Sequence, residues 1–79
     1  MIFLIEYDRS NDEIVTFEPF PDSERRDAED ARLEIEIALN RDGIDREVVL
    51  LEAESEEALR RTHRRYFENL SELAGPSPR

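Results

Sequence analysis

The sequence predicts one α+β domain with the element order β-β-α-β-α and a three-stranded, mostly antiparallel sheet in the order 2-1-3, packed with two helices. Three observations support this fold. Two runs rich in β-branched and aromatic residues flank a polar turn, a third apolar run has the length of a buried strand, and helical patterns follow the second and third runs. The chain of 79 residues has room for one domain, which we place at residues 1–74, followed by a tail at 75–79 that we expect to be disordered.

The first two strands are predicted to form a hairpin. Residues 2–7 are an almost unbroken apolar and aromatic run, residues 14–20 are a second, and a polar stretch rich in Asp, Ser and Asn separates them. Pro19 has no N–H to donate to a neighbouring strand, so we expect the second strand at a sheet edge. The more apolar first strand is then expected to be central.

Residues 23–41 predict the first helix. Asp22 or Ser23 can cap its start, and Gly43 can end it. A strand is an open alternative at residues 33–39, where apolar and polar residues alternate before a possible Asp-Gly turn. We favour the helix, because a helix that ended before this segment would bury only alanines, which is too little apolar area to hold it in place.

The third strand and the last helix complete the predicted fold. Residues 47–53 include four consecutive apolar residues and read as a buried strand. Ser55 can cap the last helix, whose first turn contains Glu56 and Glu57, both favourable to the helix dipole. We expect this helix to end near Ala74.

Four arginines are predicted on one side of the last helix, opposite an apolar stripe, because each helical residue turns by about 100°. We call them the arginine cluster: Arg60, Arg61, Arg64 and Arg65. The planar guanidinium matches the geometry of carboxylate or phosphate, so the cluster and the neighbouring His63 predict a surface that binds an anion or a protein partner. The alternative, which we favour, is a solvated helix face paired with surface acids.

The sequence gives no indication of an active site. His63 is the only histidine and could act as a general acid or base, but a lone histidine beside an apolar stripe is more often a boundary residue. The chain has no cysteine, only two glycines, no nucleophile elbow and no phosphate-binding loop. We therefore expect no enzyme, no metal site and no cofactor.

The formal charge of −10, from 21 acidic and 11 basic residues, disfavours nucleic acid and anionic lipid as partners. No apolar run approaches the roughly 20 residues of a membrane span, and the apolar start is too short for a signal peptide. We expect a cytoplasmic bacterial protein. The acids near the hairpin loop and first helix could form a surface for a basic partner, although pairs such as Arg25 with Glu29 are typical of an ordinary solvated helix.

The amount of apolar surface favours self-association. Both faces of the predicted sheet are apolar, so helices packed on one face would leave the other exposed, whereas helices on opposite faces would cover both. Leu33 and Ile37 also lie opposite the predicted buried arc of the first helix. We expect a homodimer whose contact is either the free sheet face, with Ile2 and Leu4, or the stripe of Leu33 and Ile37. The alternative is that the chain's own hairpin or tail covers this stripe.

Together these observations predict a small non-enzymatic protein that works through protein contacts, as a homodimer with a regulatory or accessory role. The alternative is a module that binds an anionic ligand or nucleic acid through the arginine cluster.

Overall fold

The computed structural model describes residues 1–67. Its strands and helices are β1 (Ile2–Asp8), β2 (Glu13–Phe20), α1 (Arg25–Asp42), β3 (Glu47–Glu52) and α2 (Glu56–Thr62). A 3-10 turn at Asp22–Glu24 precedes α1, and a second one at Arg64–Tyr66 follows α2. The predicted end of the domain at residue 74 and the predicted tail at 75–79 lie outside the described residues.

The sheet has the predicted order β2-β1-β3, with β1 antiparallel to both neighbours. Ile5 lies opposite Phe17 on one side and Val49 on the other. The pairing with β2 shifts between Thr16 and Ile14, which leaves Val15 as the extra residue of a β-bulge. The most apolar strand is therefore central, as expected from its composition.

Residues 33–39 are helical, which resolves the alternative between helix and strand. Gly43 ends α1 in the left-handed region at φ 68°, and the N–H of Ile44 donates to the carbonyl of Leu39 at 2.9 Å. The expected cap at Asp22 or Ser23 is wrong, because these residues form a 3-10 turn without a side-chain cap. Oδ1 of Asp22 instead pairs with the N-terminal amine at 2.8 Å.

The two helices lie on opposite faces of the sheet. On one face α1 covers a core formed by Ile2, Leu4, Phe20 and Ala28. On the other, α2 and the residues after it cover a core formed by Phe3, Ile5, Tyr7, Leu59, Tyr66 and Phe67. Alternate residues of β1 therefore serve opposite cores. Ile2 and Leu4 are fully buried within this chain and form no free sheet face, contrary to the first of the two expected dimer contacts.

The last helix is interrupted where the sequence predicted it to continue. α2 ends at Thr62, and His63 leaves the helical region with φ −124° and ψ 55°. The change of direction carries Tyr66 and Phe67 into the core, where Phe67 packs edge-on against Phe17. Burial of two aromatic rings outweighs continuation of the local helix. The predicted helical residues 68–74 lie outside the described residues.

Candidate functional site

The interruption of α2 divides the arginine cluster. Arg60, Arg61 and Arg64 line one open depression, together with Glu57. Arg65 lies elsewhere, since its Nη2 donates to Glu47 Oε2 at 2.7 Å and to the Tyr66 hydroxyl at 2.8 Å. The structure therefore brings three of the four predicted arginines together.

Two of the three arginines in the depression are already paired. Arg60 Nη2 donates to Glu56 Oε2 at 2.8 Å, and its guanidinium lies 4.5 Å from the centre of the Phe67 ring. Arg61 contacts Glu57 at 3.5 Å. The carbonyl of Arg64 accepts from the N–H of Phe67, but its guanidinium has no hydrogen-bond or ion-pair partner within residues 1–67. Exposed pairs between residues four apart contribute only about 0.3–0.5 kcal/mol, so an incoming anion could displace them at little cost.

His63 has little support for a catalytic role in its surroundings. Its Nδ1 lies 2.9 Å from Oγ1 of Thr62, and that hydroxyl also contacts the carbonyls of Ala58 and Leu59. Within the described residues no carboxylate hydrogen-bonds to the imidazole. The hydroxyl is engaged with the backbone of its own helix, so the pair lacks the third, orienting group of an activated nucleophile.

A polar cluster closes the α2 face of the sheet. The Tyr66 hydroxyl and Arg65 both donate to Oε2 of Glu47, and Arg65 lies 4.3 Å from the centre of the Tyr66 ring. Burial and the hydrogen bond to Glu47 raise the pKa of Tyr66 to about 12. The same hydrogen bond, with help from Arg65, lowers the pKa of Glu47. At neutral pH the cluster is a charged carboxylate held by a neutral phenol and a guanidinium, which is a structural contact rather than a reactive one.

A second buried acid lies on the α1 face. Glu6 is 6% exposed, and its carboxylate accepts hydrogen bonds of 2.8 Å from Thr16 Oγ1 and from Arg46 Nη1. This contact raises the pKa of Arg46. Sequence reasoning missed both polar clusters. The sequence did contain one indication of the Glu6 cluster, which is the presence of a single acid inside the apolar run of β1.

The stripe of Leu33 and Ile37 is exposed in the folded chain. Leu33 is 54% and Ile37 is 56% exposed, so no described residue covers them as the sequence alternative required. Leu33 also lines a groove between α1 and β3, which we call the α1–β3 groove. Its other lining residues are Arg25, Glu29, Arg32, Glu36 and Leu50.

The described residues contain no group of three His, Cys, Asp or Glu side chains placed to hold a metal ion. None of the helices within residues 1–67 has the length and apolar character needed to cross a bilayer. Comparison of the chain with protein-family models, with curated proteins and with solved structures gave no match.

Proposed function

We propose that this chain is a small cytoplasmic interaction protein without enzymatic activity, which acts as a homodimer in a regulatory or accessory role. The observation that carries the proposal is the exposure of Leu33 and Ile37, one helical turn apart on α1, in a chain that buries both faces of its sheet. Leu33 and Ile37 are more exposed than the other exposed large hydrophobic residues of the described chain, Met1, Val15 and Ile44. Two adjacent aliphatic side chains in water are typical of a contact surface.

The physical gain from covering this stripe is substantial for so small a domain. Full burial of an aliphatic side chain contributes about 1.5–3 kcal/mol, and roughly half of that remains available at Leu33 and again at Ile37. The stripe is present once in each chain, so a twofold axis through it would bury four such side chains. The net charge of −10 keeps the chain soluble but does not cover this local patch.

The oligomeric state tests the proposal. We expect sedimentation velocity to show a dimer at tens of micromolar, and we expect the double variant Leu33→Arg, Ile37→Arg to be monomeric with an unchanged circular dichroism spectrum. Arginine suits an exposed helix position, so the variant should fold. Val15→Arg is the control, because it places an arginine at an exposed apolar residue on the edge strand β2, away from α1. A monomeric wild-type chain would overturn the proposal.

A second candidate function is supported by the depression lined by Arg60, Arg61 and Arg64. The guanidinium of Arg64 has no partner within residues 1–67, and the pairs of the other two arginines are exposed and exchangeable. Such a surface could bind a phosphate-bearing ligand, a nucleic acid or an acidic segment of a partner protein.

Binding at this depression is testable with two arginines that have no core contact. Arg60 packs on Phe67 and Arg65 holds Glu47, so alanine at either position would also disturb the fold. We expect Arg61→Ala, Arg64→Ala to weaken binding of fluorescent nucleotides or short RNA at low salt, while Arg41→Ala, an exposed arginine on α1, does not. Rising salt should weaken true phosphate binding. Flat anisotropy titrations would remove this candidate.

A further inference from the structure

One edge of the sheet is apolar and has no neighbouring strand within the described part of the chain. β3 pairs with β1, and no strand within residues 1–67 pairs with its other side. The N–H of Ala53 donates to the carbonyl of Met1 at 3.1 Å, which identifies one hydrogen-bonded pair of this ladder. Hydrogen-bonded pairs alternate along antiparallel strands. It follows that Val48, Leu50 and Glu52 direct their N–H and C=O groups away from β1, toward the free edge.

The opposite edge of the sheet is protected, and this contrast is informative. β2 contains Pro19, has a bulge at Val15 and exposes the acids Glu13 and Glu18, all of which discourage pairing with another chain. β3 has four consecutive apolar residues at 48–51, without proline and without a bulge. A soluble protein that protects one edge and leaves the other apolar has a partner for the second.

We infer that β3 pairs antiparallel with β3 of a second copy, about a twofold axis near the centre of the strand, so that two three-stranded sheets become one continuous sheet. This inference rests on the proposed homodimer and specifies its interface. With the axis at Leu50, Leu50 faces the same residue of the second copy and Val48 faces Glu52, so these three residues of each copy would supply the main-chain hydrogen bonds. The self-complementary pairing of identical strands needs no other partner.

The same axis would also cover the exposed stripe on α1. A twofold axis perpendicular to the sheet keeps both α1 helices on one face. Strands are about 4.8 Å apart and a helix is about 10 Å across, so each α1, which packs on β1 and β3, spans about two strands. Two copies of α1 over the four central strands would therefore lie side by side, with Leu33, which lines the groove beside Leu50, between them.

The charges around the α1–β3 groove favour a second copy over a basic or an acidic partner. Its polar lining residues are Arg25, Glu29, Arg32 and Glu36, two of each sign. The lining of this groove is thus locally neutral in a chain of net charge −10. A twofold axis makes the two helices antiparallel, which brings the start of one groove, where Arg25 pairs with Glu52, toward the end of the other, where Glu36 pairs with Arg32. Both pairs are exposed, so these side chains can exchange partners across the axis, and charge complementarity follows from the symmetry.

Amide hydrogen exchange of the wild-type chain tests the inference directly. The amides of Val49 and Leu51 bond to β1 and should be protected in any folded state. The amides of Val48 and Leu50 should be protected in the wild-type dimer only, and should exchange at least tenfold faster in the monomeric Leu33→Arg, Ile37→Arg variant. If the amides of Val48 and Leu50 exchange fast in a wild-type dimer while those of Val49 and Leu51 are protected, the inference is wrong.

Cross-linking gives an independent readout, because the chain contains no cysteine. Residues facing each other across antiparallel strands have Cα atoms about 4.5–5.5 Å apart, which a disulfide can bridge. We expect oxidised Leu50→Cys to form a covalent dimer, and Val15→Cys, more exposed but on β2, to remain uncoupled at the same concentration. A dimer without protection at Val48 and Leu50 and without this cross-link would refute the strand pairing and leave the proposed function standing. A monomeric wild-type chain would refute both.

Discussion

The Tyr66 hydroxyl donates a 2.5 Å hydrogen bond to Oε2 of Glu47, which ties the segment after α2 to the first residue of β3. Arg65 donates to the same oxygen, while Oε1 of Glu47 is buried without a partner within residues 1–67. The carboxylate therefore depends on two donors from one short segment. Burial removes this carboxylate from water, and the cost of that desolvation is compensated only while the segment after α2 stays in place.

Tyr66→Phe should lower the free energy of unfolding by about 1–2 kcal/mol, because it removes a donor from a partly buried charge. Tyr7→Phe is the matched control, since its hydroxyl makes a longer bond of 3.3 Å to Asp12. Both variants keep the edge-to-face contact of the two rings, whose centres are 5.3 Å apart. Urea denaturation measures both, and an equal loss in the two variants would contradict the importance of the Glu47 contact.

Acid should destabilise the fold through Glu47. The hydrogen bond from Tyr66 lowers the pKa of Glu47 in the folded chain below its ordinary value of 4.5. The unfolded state therefore binds the proton first as the pH falls, so the stabilisation is complete above about pH 4.5 and is lost as the pH falls through the folded pKa. Urea midpoints between neutral and acid pH check this. Glu47→Gln should reduce the pH dependence in that window, and an unchanged slope would count against this assignment.

Alkali should destabilise the fold through Tyr66. Burial raises the pKa of Tyr66 from 10.0 to about 12, so the unfolded chain ionises first as the pH rises. Stability is therefore complete below pH 10.0 and declines as the pH approaches 12. Tyrosinate absorbance should show a step near the upper value, and this step should be lost in Tyr66→Phe. The remaining tyrosine, Tyr7, should still titrate above its ordinary range, because burial raises its pKa as well. If the step stays in that variant, it belongs to another residue.

Arg46→Met should destabilise the chain more than alanine at the exposed Arg41, because it leaves the buried Glu6 carboxylate with Thr16 as its one remaining donor within residues 1–67. Removing one partner of such a pair leaves a buried charge without compensation. Replacing both partners by apolar residues often changes the free energy of unfolding very little. The double variant Glu6→Leu, Arg46→Met should therefore recover much of the lost stability in urea denaturation. A double variant less stable than Arg46→Met alone would show that the polar pair itself stabilises the fold.

Gly43→Ala should cost about 1–2 kcal/mol of stability, because residue 43 has φ 68° and a Cβ is unfavourable there. An added Cβ would meet no atom within 4 Å, so the cost is conformational rather than steric. Gly43→Asn should lose less, since asparagine tolerates this region better. Thermal unfolding of the two variants ranks them, and equal melting temperatures would contradict this explanation.

Local patterns were sufficient for the sheet order and for α1. The apolar run of β1 and the lack of an N–H at Pro19 predict which strand is central and which lies at an edge. The faces chosen by the helices could not be predicted, because alternation on β1 makes both sides of the sheet equally apolar. The break at His63 was also hidden, since it depends on Tyr66 and Phe67 packing against residues distant in sequence.

The candidate surfaces were predicted in part. The periodicity of α1 correctly placed Leu33 and Ile37 away from the core. The depression keeps three arginines of the cluster because α2 is helical up to Thr62, but Arg65 moved away with the break in the helix. The free edge of β3 follows from strand order and register, which a one-dimensional pattern does not contain.

The central strand β1 contributes side chains to both hydrophobic cores. Phe3 and Ile5 pack in one core and Ile2 and Leu4 pack in the other, so neither core can stay intact if β1 unfolds. A substitution that disrupts the core under one helix is therefore expected to destabilise the core under the other helix as well. Melting is expected to be all-or-none, with no half of the molecule able to survive alone.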